Sequence, residues 1–161
     1  MSKAQSSGND EVVFARNHKA GRDYEILDTC EAGIVLQGTE IKSIRQHRSS
    51  IDDSFAHIEG GEVFFYNMQV SPYEQGGRFN AEPGRMRKLL LHRREIERLV
   101  GFLTHKRLTL IPLRLYQHHG LVKVALAVGR GKRIFEKRER IRERETARDI
   151  QRALRKDQKR H

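Results

Sequence analysis

Ser54-Phe-Ala-His-Ile-Glu-Gly-Gly-Glu-Val-Phe-Phe-Tyr-Asn67 decides the fold. Apolar and polar residues alternate up to Glu59. Gly60-Gly61 then supplies a two-residue turn, and a second β-rich run follows. Strand, Gly-Gly, strand predicts a β-hairpin. Downstream, Leu108-Thr-Leu-Ile-Pro-Leu-Arg-Leu-Tyr116 and Leu121-Val-Lys-Val-Ala-Leu-Ala-Val128 read as two more strands joined at His118-His-Gly120. Pro112 cannot donate to a ladder, so an edge or a bulge is expected there. Alternation puts Lys123 on the outward face.

Upstream, Tyr24 and Ile26 alternate with Asp23 and Glu25, and Ile34-Val-Leu36 extends the run to Gly38. Gly33 inside it predicts a bulge or bend. Thr39 can cap a short helix through Arg45, with Ile41 and Ile44 three apart. Residues 71–84 hold Pro72, Gly76-Gly77, Pro83 and Gly84 and read as a long loop. Arg93 to Arg107 carries one apolar stripe, Ile96, Leu99, Val100 and Leu103, and predicts the main helix. Five to seven strands with no βαβ alternation give a mainly β fold, an antiparallel barrel-like sheet with helices at its side.

The charge divides the chain. Of 161 residues, 32 are Lys or Arg and 21 Asp or Glu, for a net +11. The last thirty residues, 132–161, hold thirteen of the basic and six of the acidic groups, with no Gly or Pro. Three parts follow: a flexible extension over 1–13, a barrel domain over 14–131 and a basic tail over 132–161. The tail is built of good helix formers. Its apolar stripe, Ala147, Ile150 and Leu154, is too thin to hold a lone helix in water. It is therefore expected to be unfolded when free and helical against a phosphate-rich partner, whose counterions it would release.

Other classes are disfavoured. The first ten residues lack the apolar middle of a signal peptide, and Val124 to Val128 is too short to cross a bilayer. Cys30 is the single cysteine, so no internal disulfide forms, and a reducing cytoplasm is expected. Cys30 is read as a small core residue. One cysteine and eight scattered histidines form no paired-ligand zinc motif. Asp52-Asp53 is the best acidic pair, but a turn role fits it better than a metal site. His118-His119 reads as exposed turn, and Gly129-Arg-Gly-Lys132 as a flexible basic hinge. Two basic clusters, Lys19 and Arg22 beside Tyr24, and Arg85, Arg87 and Lys88, could grip phosphates while rings stack on unpaired bases. Equally, Tyr24 could pack in the core with the cations solvated, and composition leaves both open.

Glu31-Ala-Gly-Ile-Val-Leu-Gln-Gly-Thr-Glu-Ile-Lys-Ser-Ile-Arg45 resembles the signature of the SsrA-binding protein family, also called small protein B. Asn17-His-Lys-Ala20, Tyr66-Asn-Met68, Ser71-Pro-Tyr73, Arg87-Lys-Leu-Leu-Leu-His92 and Gly131-Lys-Arg133 resemble it in the same order. The resemblance implies an oligonucleotide-binding-type β-barrel with flanking helices. It implies a partner, transfer-messenger RNA, held by its tRNA-like domain. It also implies delivery to bacterial ribosomes stalled on mRNAs without stop codons, the process of trans-translation. No enzymatic step, cofactor, metal, membrane or small-molecule substrate is implied. By matching position, Glu31, Leu91 and Lys123 would contact RNA, as would Lys19, Arg22 and Tyr24. Gly131, Lys132, Arg133, Phe135, Lys137 and Arg138 would serve ribosome binding, with the tail entering the empty mRNA channel past the decoding centre. The family's usual Gly-Lys-Lys is Gly131-Lys132-Arg133 here, and its aspartate before Lys-Arg is Glu136; both changes keep charge. The aromatic or histidine common before that acid is Phe135, which can stack but cannot donate. A ribosomal protein and a small RNA-processing enzyme are the rival readings.

Overall fold

The computed structural model describes residues 11–105, 107–132 and 134–158, the side chains of 134–140 and 157–158 excepted. In chain order the elements are β1 Val12–Arg16, α1 Ala20–Asp23, β2 Tyr24–Ile34, α2 Gly38–Arg45, β3 Ser49–Ser50, β4 Phe55–Glu59, β5 Glu62–Tyr66 and β6 Gln69–Val70. A 3-10 turn at Gly77–Phe79 follows, then β7 Arg87–Leu90, α3 Arg93–Leu103, β8 Leu108–His118, β9 Leu121–Gly131 and α4 Ile134–Gln158.

The hairpin forms as its alternation dictates. Phe55 pairs with Tyr66 and Glu59 with Glu62. Gly60 and Gly61 both take positive φ, 57° and 77°. That is the turn whose twist matches two antiparallel strands, and side chains other than Gly, Asn or Asp resist it. Along β5, Val63 and Phe65 are fully buried while Glu62 faces water. Burying a side chain such as Phe65 contributes about 1.5–3 kcal/mol.

The strands run β1-β8-β4-β5-β7-β2-β9, and β9 also pairs with β8. Six strands thereby close a ring, and β1 adds a seventh along the far part of β8. All ladders are antiparallel. Inside the ring sit Val63, Phe65, Leu89, Leu110, Leu115, Val124, Leu126 and Val128. The helices contribute Ile44 from α2 and Leu99 from α3. The mainly β, barrel-with-helices expectation agrees with this architecture.

Several local expectations are corrected. The bulge of β2 lies between Ile26 and Asp28, not at Gly33. Gly33 serves a close approach instead, because a Cβ there would stand 3.3 Å from Leu90 Cβ. Gln37, rather than Thr39, caps α2: its side chain and that of Glu40 bond each other's backbone N–H groups in a capping box. α3 stops at Leu103, short of Arg107. Gly129 to Gly131 is no hinge, since it continues β9 opposite Tyr24 to Ile26. Pro112 does mark a bulge, a register shift between Pro112 and Arg114. β1 starts at Val12, just inside the stretch read as an extension, and residues 1–10 lie outside the described residues.

Arg87 is the main surprise. Its side chain is fully buried, and its guanidinium meets the Glu40 carboxylate at 2.6 Å. It also donates to the carbonyls of Met68, Arg85 and Pro83. Arg85 bonds the other Glu40 oxygen. Burial opposes the charge on Glu40, but Arg85, the Gln37 N–H and Arg87 together hold its carboxyl below the usual carboxylate range. The second basic cluster is thus spent on structure: Arg85 and Arg87 pin the long loop to α2, and Lys88 pairs with Glu62 at 2.8 Å.

The chain divides into two units, 1–131 and 132–161. In the second, α4 runs 25 residues, about 37 Å at 1.5 Å per residue. Every side chain from 141 to 156 is exposed.

Candidate nucleic-acid interface

β2 and β9 pair so that Gly33 lies opposite Lys123 and Glu31 opposite Ala125. Side chains two apart share a face, so Glu31 and position 33 point the same way. β7 brings Leu90 against Gly33, and the chain passes through Leu91 into α3. Gly33 borders an open groove of about 620 Å³. Glu31, Leu91 and Lys123 all line it, with Arg45, Ile41 and Glu95. Three positions from distant parts of the sequence therefore meet in one place.

Glu31 is held by a network. The Tyr116 hydroxyl donates to it, His118 Nδ1 lies 3.1 Å away, and Lys123 Nζ 3.8 Å away. The Tyr116 bond, helped by His118 and Lys123 against burial, keeps its carboxyl below the usual range. Burial, then Glu31 itself, pushes the Tyr116 phenol well up, so it stays a neutral donor at neutral pH. The result is a fixed anion beside a cation. A carboxylate repels phosphate and accepts from ribose hydroxyls or base N–H groups, while Lys123 attracts phosphate. Sequence reasoning missed Tyr116, and His118, read as exposed turn, instead ends β8 beside Glu31. Their role follows from the β8–β9 turn, which returns the chain beside β2, and no local pattern announces it.

Lys19 and Tyr24 line a separate hollow of about 350 Å³ with Asp53. Lys19 Nζ is 2.6 Å from Asp53, which raises its pKa. Asp52 and Asp53 form a turn, and Asp52 accepts from the His18 N–H at 3.0 Å. Tyr24 packs on Ala20, Ile111 and Ala127, a small second core. Arg22 stays exposed, its Nε 3.5 Å from Asp23. Gly131 closes β9, whereas Arg133 and the side chains of Phe135, Lys137 and Arg138 lie outside the described residues.

Among the described residues no group of His, Cys, Asp and Glu is placed to hold a metal, and no helix is long and apolar enough to cross a membrane. Cys30 packs partly against the core, and burial pushes its thiol up to about 11. Thiolate falls tenfold per unit of pKa, so little exists at neutral pH. Native protein is expected to react with a chromogenic disulfide reagent at pH 7.5 roughly 100-fold more slowly than urea-unfolded protein. Equal rates would show the thiol to be open.

Known proteins place the fold. Residues 14–156 match the family described as SmpB protein. The chain is 56% identical to the SsrA-binding protein of Geobacillus sp. (strain WCH70) over 147 residues, covering 91% of this chain and 95% of that one. It is 54% identical to the SsrA-binding protein of Bacillus subtilis (strain 168), covering 91% and 94%. A solved structure described as "tmRNA-SmpB: a journey to the center of the bacterial ribosome" superposes with a TM-score of 0.63 at 48% identity, covering 74% of this chain and 84% of that one. A six-strand ring, a groove lined by Glu31, Leu91 and Lys123, and this agreement along both body and tail lead to one conclusion: the chain belongs to the SmpB protein family.

Proposed function

We propose that this protein binds the tRNA-like domain of transfer-messenger RNA and delivers it to stalled bacterial ribosomes. The observation that carries this reading is membership of the SmpB family over 14–156, which spans the barrel and most of the tail. The neighbouring structure is described as tmRNA-SmpB in the bacterial ribosome. The groove supplies a physical basis: apolar walls, the carboxylates of Glu31 and Glu95 and the cations Lys123 and Arg45 suit a folded RNA read by shape and ribose contacts. It does no covalent chemistry and acts in the cytoplasm.

The tail takes the second task. A cationic helix and an mRNA cannot share one channel, so the tail senses whether the channel is vacant. The tail forms the helix α4, but its thin stripe of Ile150 and Leu154 is exposed along it, so the helix is marginal alone in water and gains its stability in the channel. Co-purification from cells followed by sequencing of bound RNA tests the whole reading. Enrichment of the tagging RNA is expected, and its absence with folded bait would refute it.

Glu31→Lys reverses the negative charge beside Lys123 in the groove and removes the acceptor for Tyr116. Affinity for the transcribed tRNA-like domain is expected to fall roughly tenfold or more, as for loss of a charged hydrogen bond. Far-UV circular dichroism should stay unchanged. A gel-shift titration with unaltered affinity would remove Glu31 from the interface.

A further inference from the structure

With Arg85 and Arg87 bound to Glu40, the cations beside the long loop are others. Lys42 and Arg45 lie three apart on the exposed face of α2, and Arg78 is exposed on the 3-10 turn. None of the three makes an ion pair with a carboxylate among the described residues; Arg48 nearby does, with Glu74 at 3.6 Å. Two aromatic rings stand among them. Lys42 Nζ lies 5.3 Å from the centre of the Tyr73 ring, and Arg78 lies 5.1 Å from that of Phe79. Phe79 is the most exposed large apolar side chain in the described protein, at 69%.

The loop that carries Phe79 is built to hold it. Asn80 Oδ1 accepts from the Tyr73 N–H at 2.9 Å, and Asn80 Nδ2 donates to the carbonyls of Tyr73 and Gly77. The Phe79 N–H bonds the Gly76 carbonyl at 2.9 Å. Thr39 Oγ1 on α2 reaches the Phe79 carbonyl at 3.4 Å. An exposed ring on a pinned turn has lost its backbone entropy before any partner arrives. Phe55, another exposed ring, differs: it shares its hollow with Asp52 and Asp53, which repel phosphate.

Continuity names the occupant. Ile41 and Arg45 of α2 line the same groove as Glu31, Leu91 and Lys123, so a polyanion seated there already touches the helix that bears Lys42. From this we infer that the α2 face and the 3-10 turn extend the groove into a second contact with the same RNA. An unpaired base of the transfer-messenger RNA stacks on Phe79, and Lys42, Arg45 and Arg78 take its flanking phosphates. Aromatic rings and cations in alternation are the chemistry that holds unpaired nucleotides without reading their sequence. This inference rests on the proposed function above.

The test uses the full chain and the transcribed tRNA-like domain. Phe79→Ala should weaken binding roughly 5- to 100-fold, the range for loss of one base stack. Phe79→Tyr should restore it. The dependence of affinity on salt should keep its slope in Phe79→Ala and become shallower by about 0.7–0.9 in Lys42→Ala. Because Phe79 is exposed, thermal melts should not move. Unchanged affinity in Phe79→Ala beside a weakened Glu31→Lys would overturn this inference and leave the groove reading standing. If neither variant weakened binding, both would fall. A Phe79→Ala defect confined to purified ribosomes would overturn it in favour of ribosomal RNA. Failure of tyrosine to restore binding would overturn the stacking role.

Discussion

Glu40→Gln should lower the stability of the barrel unit by about 3–5 kcal/mol, the usual cost of leaving a buried charge without its partner. In melting temperature this is roughly 10–20 °C for a unit of this size. The substitution keeps the shape of the side chain but leaves Arg87, fully buried, facing no anion. It also weakens the capping box at the start of α2. Removing the arginine instead is no remedy. Arg87→Met would strip donors from the carbonyls of Met68, Arg85 and Pro83, and buried carbonyls without partners are costly. Urea denaturation at pH 7 checks both variants. A Glu40→Gln midpoint equal to that of the parent would show that the pair contributes nothing.

The same pair gives a pH signature. Glu40 has a folded pKa below its unfolded one. Its contribution is therefore present in full above about pH 4.3, the ordinary glutamate value, and is lost as pH falls through the lower folded value. Parent stability should drop across that acid window more steeply than that of Glu40→Gln, which carries no proton to gain there.

Lys132→Ala with Arg133→Ala should abolish peptide tagging on purified stalled ribosomes while leaving affinity for the tRNA-like domain within about twofold, the scatter of a neutral surface change. The groove residues all lie before position 132, in the other unit. Two cations lost from a polycation weaken its attraction to any phosphate backbone. Equal losses in tagging and in RNA affinity would mean that the two units do not act separately.

What the sequence disclosed and what it withheld divide along contact distance. The hairpin over 54–67, the helix from Arg93 and the Pro112 bulge rest on neighbours within a few residues, and all three could be read from local pattern. Arg87 could not. In Arg87-Lys-Leu-Leu90 it looks like one more surface cation, and its burial depends on Glu40, 47 residues earlier. Thr39 looked the better cap because it has a hydroxyl, yet Gln37 and Glu40 stand at the three-residue spacing of a capping box, a signal that was present. For the groove, resemblance supplied Glu31, Leu91 and Lys123, and the registers of β2 against β9 and of β7 against β2 explain why those three meet. Tyr116 and His118 come from a strand more than eighty positions away, beyond any periodicity.

The ring of strands closes last at its end. β9 must lie against β2, and β8 against β1, pairings that join positions about a hundred residues apart. Contacts of such long range form late and all together. A nascent copy released before Gly131 therefore keeps unpaired strand edges, prone to sticking or to proteolysis. A copy broken off just after Gly131 instead has every strand it needs. Premature ends thus sort themselves into sticky, open-edged fragments and, just past Gly131, closed barrels that keep the groove but lack the cationic helix.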